Sequence, residues 1–152
     1  MKKILFVCHG NICRSPMAEF VMKHLVREAG LADEISVTSK ALHRDEIGSD
    51  THRGTREILR VHNIPFSKRR ASLMTAADYA AFDCIIGMDT ENMDDLDRLT
   101  GGDPDGKVRR LLSYIGVDRD VADPWYTGNF EATYRDVDAG CRALLKDLTK
   151  NA

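Results

Sequence analysis

The sequence has no long apolar run, and this absence excludes a helix that spans a membrane. No segment approaches the roughly 20 apolar residues that such a helix needs. The apolar stretch at residues 4–7 is also too short for the core of a secretory signal peptide. With 43% hydrophobic and 30% charged residues, the composition is that of an ordinary globular protein. We therefore expect a cytoplasmic protein with no membrane partner.

The sequence has little net charge and few cysteines. The formal net charge of the 152 residues is -2, so no overall attraction to nucleic acid is expected. A domain of this size buries enough surface to fold without disulfides, and we expect the four cysteines to be free thiols. They are Cys8, Cys13, Cys84 and Cys141. Neither they nor the five histidines show the spacing of a metal site, so no metal is predicted.

Apolar periodicity predicts strands that alternate with helices. Strands are predicted at 3–7, 35–38, 84–88 and 108–112, and helices at 15–30, 51–62, 90–99 and 134–148. Ser15 is the predicted N-cap of the first helix, with Pro16 at the first helical position. Because parallel strands need crossover connections, this pattern predicts a single α/β domain over residues 1–152. A central parallel sheet of about four strands would carry helices on both faces, and ligands would bind beyond the carboxyl ends of the strands.

The segment between the first strand and the first helix has the pattern C-x5-R-[ST], from Cys8 to Ser15. A loop at this place can direct backbone N–H groups and a helix dipole toward an anion. Five intervening residues let the backbone curl around a phosphate, with Arg14 gripping two oxygens and the Cys8 sulfur facing phosphorus. The same positive field favours a nucleophilic thiolate, which Ser15 is expected to stabilise as a leaving group. The predicted phosphate-binding residues are His9, Gly10, Asn11, Ile12, Cys13, Arg14 and Ser15.

This loop resembles that of the low-molecular-weight protein tyrosine phosphatases, whose signature C-x-G-N-x-C-R-S-P is matched by residues 8–16. The likeness continues at residues 84–89 and in the Asp-Pro-Trp-Tyr motif at residues 123–126. The resemblance implies hydrolysis of aryl phosphate, above all phosphotyrosine in protein, through a phosphocysteine intermediate that releases inorganic phosphate. It also implies that the loop is supported by Asn11, Ser15 and Ser39. No cofactor is implied, because Arg14 and the backbone amides neutralise the phosphate charge.

The departing oxygen needs a proton, and the loop contains no carboxylate to supply one. We predict that Asp123 is this acid, and that it later acts as the base toward water; the resemblance assigns it the same role. Pro124 stiffens the backbone at this point. Trp125 and Tyr126, together with Ile12, are predicted to form the wall against the substrate ring. Without the cysteine loop, Asp-Pro would indicate only a turn.

Two other activities are alternatives to phosphotyrosine hydrolysis. Some relatives with threonine at the position of Ile12 act on phosphoarginine, whereas a branched apolar residue should pack on a tyrosine ring and crowd a guanidinium. Arsenate reductases with such a loop need a close pair of later cysteines, but Cys84 and Cys141 lie far apart in the sequence. A phosphate-binding module without catalysis would have lost the nucleophile, the arginine or the acid, and none is missing.

Several features stay open at the level of sequence. Cys13 either forms a reversible disulfide with Cys8, as the resemblance suggests, or packs under the loop. Lys40, Leu42 and Asp45-Glu46 depart from the family pattern and leave the rim of the pocket undefined. No catalytic part is assigned to residues 68–73, and weak self-association is left open.

Overall fold

A computed structural model of the chain describes residues 1–150. Short β-branched runs form the strands, and the stretches with helical apolar spacing form the connections between them. The strands are β1 (Lys2–Cys8), β2 (Ile35–Ala41), β3 (Cys84–Gly87) and β4 (Val108–Arg110). The helices are α1 (Arg14–Glu28), α2 (Arg53–Val61), α3 (Ala77–Ala81), α4 (Thr90–Thr100), α5 (Pro124–Thr127) and α6 (Phe130–Thr149), with a 3-10 helix at Leu111–Ile115.

The four strands form one parallel sheet in the order β2-β1-β3-β4. This arrangement confirms the predicted fold class. The chain leaves β1 toward β2 on one side and later returns to place β3 on the other side. The loops after β1 and β3 therefore diverge, and the crevice between them is where parallel sheets of this kind bind ligands. Within residues 1–150, no helix has both the length and the apolar character needed to cross a bilayer.

Helices cover both faces of the sheet because alternate residues of β1 point in opposite directions. Ile4 and Phe6 lie in the larger core, which includes residues of α1 and α6. Leu5 and Val7 lie in a second core with residues of α3 and α4. All four side chains are fully buried. The end of β1 is thus held from both sides, which makes it a rigid place from which to present Cys8.

The first helix begins two residues earlier than predicted, at Arg14 instead of Pro16, and the prediction that Ser15 is its N-cap is wrong. Cys13 occupies the N-cap position without a side-chain cap, and Arg14 is the first helical residue. The Ser15 hydroxyl is unavailable for capping because it contacts the Cys8 sulfur. The first turn of the helix is therefore part of the loop, and its Ser15 backbone N–H points toward the Cys8 sulfur.

Two strands also end more than one residue away from the predicted position. β2 continues to Ala41 because it pairs with β1 along its whole length, so Ser39 lies within the strand, opposite Phe6. β4 ends at Arg110, and the apolar residues after it form a 3-10 helix. The apolar pattern of residues 108–112 did not distinguish the strand from the 3-10 helix, because both elements pack apolar side chains against the core.

Candidate active site

A cavity of about 500 Å³ opens at the crevice beyond the ends of β1 and β3. It contains the predicted nucleophile, arginine and acid together, although Asp123 is remote from the loop in sequence. The predicted wall residues also line it, while Asn11, Ser15 and Ser39 lie behind the loop. The lining consists of Cys8, His9, Gly10, Ile12, Cys13, Arg14, Asp45, Glu46, Asp89, Glu91, Asp120, Val121, Ala122, Asp123, Trp125 and Tyr126.

Cys8 lines this cavity and is 3% exposed. Its Sγ is 3.0 Å from Ser15 Oγ and accepts a longer contact of 3.5 Å from the Ser15 backbone N–H. Asn11 Nδ2 donates to the same Ser15 hydroxyl at 2.8 Å, and an amide nitrogen can only donate. The Ser15 proton is therefore directed at the sulfur.

Asn11 is the centre of the hydrogen bonds behind the loop. Its backbone adopts φ +61°, a left-handed conformation that asparagine tolerates better than most residues. Its amide also donates to Ser39 Oγ at 3.0 Å, and Ser39 in turn donates to Glu19 Oε1 at 2.5 Å. Lys23 holds the other Glu19 oxygen at 2.5 Å. The hydroxyls of Ser15 and Ser39 thus each accept one hydrogen bond and donate one.

Arg69 completes the support of the loop and is the residue that sequence reasoning missed. Its Nη1 donates to the Asn11 carbonyl oxygen at 3.0 Å, and its Nη2 donates to Asn11 Oδ1 at 2.7 Å. The Ser72 backbone N–H also donates to Asn11 Oδ1, at 3.3 Å. Arg69 stands in the basic run Lys68-Arg69-Arg70, and nothing in the run itself distinguishes it from its neighbours.

Replacing Arg69 by methionine is expected to lower kcat/KM by about tenfold or more, because two donors that hold the strained Asn11 are lost. The free energy of unfolding should fall by roughly 1–3 kcal/mol for the same reason. Arg70→Met is the matched control: Arg70 is the exposed neighbour, and both quantities should stay near the wild-type values. Steady-state kinetics and urea unfolding measure both effects. Equal effects of the two substitutions would contradict this role of Arg69.

Arg14 is buried and fixed in the cavity by three contacts. Nη1 donates to the Val121 carbonyl oxygen at 2.9 Å, and Nη2 lies 2.8 Å from Asp89 Oδ2 and 3.4 Å from Asp123 Oδ2. Burial alone lowers the pKa of the guanidinium, but the negative charges at Cys8, Asp89 and Asp123 outweigh it and raise that pKa. Arg14 therefore stays charged where a phosphate would bind.

Asp89 was not singled out from the sequence, although it lies two residues after the end of β3 and is the N-cap of α4. Its Oδ1 accepts from the Asn92 backbone N–H at 2.7 Å, while Oδ2 contacts Arg14. Such capping restricts the rotamers of a short side chain. Asp89 is therefore a rigid support that orients the plane of the Arg14 guanidinium.

Asp123 is the N-cap of α5, and Pro124 occupies the first turn of that short helix. Its Oδ1 accepts from the Trp125 backbone N–H at 3.0 Å, which leaves Oδ2 near Arg14 and open to the cavity. The Trp125 ring is 58% exposed and lies edge-on to His52 at 5.7 Å. Tyr126 is 85% exposed. The predicted wall is thus largely exposed to solvent, and Trp125 is held by its contact with His52.

Ile12 and Cys13 are buried beside Ala71 and also line the cavity. Burial chiefly, with the charges at Cys8 and Asp123, raises the pKa of Cys13 to about 12. Cys13 therefore carries a neutral thiol and packs under the loop, one of the two alternatives for this residue; exchange with Cys8 stays a prediction. All four cysteines are free.

The rim of the cavity carries two stacked histidines among carboxylates. His9 and His43 lie with ring centroids 4.2 Å apart. His9 Nε2 is 2.5 Å from Asp45 Oδ2, and its Nδ1 is 3.4 Å from Glu91 Oε1. Burial lowers the pKa of His9, but Asp45 and Glu91 outweigh it and raise that pKa. Lys40 does not line the cavity, because its Nζ pairs with Asp78 at 2.9 Å.

The family described as low molecular weight phosphotyrosine protein phosphatase matches residues 3–152. The low molecular weight protein-tyrosine-phosphatase YfkJ of Bacillus subtilis is 41% identical over 152 residues, with 99% of this chain and 97% of the relative covered. The PtpA phosphatase of Staphylococcus haemolyticus is 38% identical over 153 residues, with 100% and 97% covered.

Solved structures show the same similarity in three dimensions. The crystal structure of YfkJ from Bacillus subtilis superimposes with a TM-score of 0.95 at 40% identity, covering 99% of this chain and 96% of that one. A structure described as a Drosophila arginine phosphatase has a TM-score of 0.88 at 31% identity, covering 98% of each chain.

Proposed function

The chain belongs to the low molecular weight phosphotyrosine protein phosphatase family, and we infer from this membership that it is an enzyme that hydrolyses aryl phosphate monoesters, above all phosphotyrosine in proteins. We propose Cys8 as the nucleophile, Arg14 as the phosphate-binding cation and Asp123 as the acid and base. The observation that supports these roles most directly is one cavity lined by the sulfur, the guanidinium and the carboxylate.

In the first proposed step, the Cys8 thiolate attacks phosphorus and the bond from phosphorus to the tyrosine oxygen breaks. Arg14 and the backbone amides of the loop stabilise the charge on the phosphoryl oxygens. Asp123 donates a proton to the departing oxygen, so that a neutral phenol leaves. Asp123 must carry the proton at the start of this step, because only the protonated form can act as a general acid.

In the second proposed step, water attacks the phosphorus of phosphocysteine and the bond from phosphorus to sulfur breaks. Asp123, now a carboxylate, takes the proton from the water. The sulfur leaves as a thiolate that accepts the hydrogen bond from Ser15. Inorganic phosphate is released, and the enzyme returns to its starting state without a metal or another cofactor.

We propose that the phosphotyrosine ring packs between Ile12 and Trp125. Ile12 belongs to the loop, Trp125 follows closely after Asp123, and both line the cavity. The branched apolar side chain of Ile12 favours contact with a flat apolar ring over contact with a guanidinium, which is planar but strongly polar. The alternative, hydrolysis of phosphoarginine, is the activity named for the Drosophila relative.

Wild-type enzyme is expected to turn over a phosphotyrosine peptide faster than the matched phosphoarginine peptide. Ile12→Thr should raise the ratio of kcat/KM for phosphoarginine to that for phosphotyrosine by about tenfold, because it removes apolar contact and adds a polar group. Ile47→Thr is the matched control, since Ile47 is exposed and does not line the cavity. Phosphate release from both peptides measures the ratio. Equal or faster hydrolysis of phosphoarginine by the wild type would overturn the substrate assignment.

Other parts of the proposed function concern the setting of the enzyme. We propose one catalytic domain over residues 1–152, a cytoplasmic location and phosphorylated proteins as partners, with no nucleic acid or membrane partner. Asn11, Ser15 and Ser39 are proposed to support the loop. Cys13 is proposed as the redox partner of Cys8: a peroxide would accept two electrons and two protons from the two thiols, leaving water and a disulfide, and both residues line the same cavity.

A further inference from the structure

Three potential metal ligands meet at the rim of the cavity. They are His9, His43 and Glu91, and one ligand atom of each lies within 4.8 Å of those of the other two. The residues come from the phosphate loop, the segment after β2 and the first turn of α4. Their separation in the sequence explains why ligand spacing along the chain gave no sign of them.

Two further carboxylates orient the imidazole rings. His9 Nε2 lies 2.5 Å from Asp45 Oδ2, and His43 Nε2 lies 2.8 Å from Asp95 Oδ2. A carboxylate accepts a hydrogen bond, so each neutral ring carries its proton on Nε2 and has a lone pair on Nδ1. Histidine that binds a metal almost always donates its other N–H to a carboxylate or carbonyl in this way. With its proton on Nε2, each ring can therefore offer the Nδ1 lone pair to an ion.

Charge and ligand type narrow the class of ion. Two neutral imidazoles and three carboxylates carry a formal charge of -3, and Arg98, which pairs with Asp95, reduces it to about -2; this charge favours a divalent cation. Imidazole nitrogen together with one carboxylate suits zinc and related transition metals better than magnesium or calcium. Three protein ligands leave one position of a tetrahedral ion to water.

We propose that His9, His43 and Glu91 bind one divalent transition-metal ion of the zinc class, with Asp45 and Asp95 as the carboxylates that orient the histidines. His9 directly follows Cys8, and both His9 and Glu91 line the cavity. An ion held between them narrows the entrance to the nucleophile. We infer that the ion inhibits turnover reversibly; this second part alone depends on the proposed function.

Calorimetric titration with Zn²⁺ tests binding without reference to activity. In a Cys8→Ser background, which removes the competing thiol, the full chain is expected to bind one ion. His43→Asn in that background should weaken the affinity by at least about tenfold. His24→Asn is the matched control, because His24 also lies beside a carboxylate, 3.9 Å from Glu28, but outside the cluster; its affinity should not change. Absence of binding, or equal affinity in the two histidine variants, overturns the proposal.

Co²⁺ spectroscopy identifies the ligands. The visible absorption of bound Co²⁺ should appear in the wild type without a thiolate-to-cobalt charge-transfer band, and Glu91→Gln should weaken it. The Glu91 side chain is 68% exposed, so this variant keeps the test valid if His43→Asn fails to fold. A charge-transfer band that disappears in Cys8→Ser would instead place the ion at the nucleophile and overturn the proposal.

The activity of each variant in Zn²⁺, relative to its own activity in chelator, tests the inhibitory part. Wild type should be inhibited at the concentration that fills the site, and Glu91→Gln should need about tenfold more Zn²⁺. If Zn²⁺ binds the cluster but phosphatase activity is unchanged, the inference of inhibition is wrong and the binding site stands. If no phosphatase activity is found without metal, the proposed function fails while the calorimetric result is unaffected.

Discussion

Cys8→Ser is expected to lower kcat by at least about 10⁴-fold toward every phosphate ester, while inorganic phosphate still binds. A serine hydroxyl is not ionised near neutral pH, and neither the Ser15 hydrogen bond nor the charge of Arg14 is strong enough to change that. The groups that hold the anion, Arg14 and the loop backbone, are untouched. Loss of a negative sulfur should leave phosphate affinity equal or higher. Steady-state hydrolysis of p-nitrophenyl phosphate and calorimetry with phosphate measure the two quantities.

Cys84→Ser is the matched control for this substitution. Cys84 begins β3, is partly buried and does not line the cavity, so the same atom exchange should leave kcat near the wild-type value. Mass spectrometry of rapidly quenched wild type should place a phosphoryl group on the peptide that contains Cys8. A Cys8→Ser enzyme with more than a few per cent of wild-type turnover would rule out covalent catalysis at this position.

Asp123→Asn is expected to lower kcat/KM by about 10²- to 10³-fold for alkyl phosphates, whose departing oxygen needs a proton. The loss for p-nitrophenyl phosphate should be below about tenfold, since that leaving group departs as a stable anion. kcat/KM is the right quantity because it reports the steps up to formation of phosphocysteine. Asparagine keeps a carbonyl oxygen to accept from the Trp125 backbone N–H, so the start of α5 should be preserved.

The same variant should show a burst of p-nitrophenol, because breakdown of phosphocysteine then lacks its base. Asp120→Asn is the control: Asp120 lines the same cavity, but its carboxylate binds Thr90 and Arg110. Any effect of that control should be similar for all leaving groups. An equal loss of kcat/KM for good and poor leaving groups in Asp123→Asn would remove Asp123 from the acid role.

The local part of the fold and site could be predicted from the sequence. The apolar run of β1, the C-x5-R-[ST] pattern and the apolar stripe of α1 lie together in the first 30 residues, and each depends on neighbours along the chain. The parallel sheet followed from the alternation of strands and helices. Asp123 was predicted as the acid because the chemistry required one and because the Asp-Pro-Trp-Tyr motif resembles that of the family; its role stays a prediction.

The rest depends on contacts between distant segments, which local patterns do not record. Ser15 was predicted as an N-cap because its hydroxyl suits that role, but contact with Cys8 takes precedence in the folded chain. Arg69 supports Asn11 across 58 positions, and its two basic neighbours carry the same sequence signal. His9 and His43 stack only because the loops after β1 and β2 end at the same edge of the sheet.

The contact of Arg14 with the Val121 carbonyl oxygen spans 107 positions. It brings the first turn of α1 to the segment that carries Asp123, so the proposed nucleophile and the proposed proton donor come from distant parts of the polypeptide. While the protein is being made on the ribosome, the cysteine loop emerges long before the acid. A nascent chain therefore holds the proposed nucleophile before the proposed acid, and we expect efficient hydrolysis of esters with poor leaving groups only once the segment that carries Asp123 has folded against the sheet.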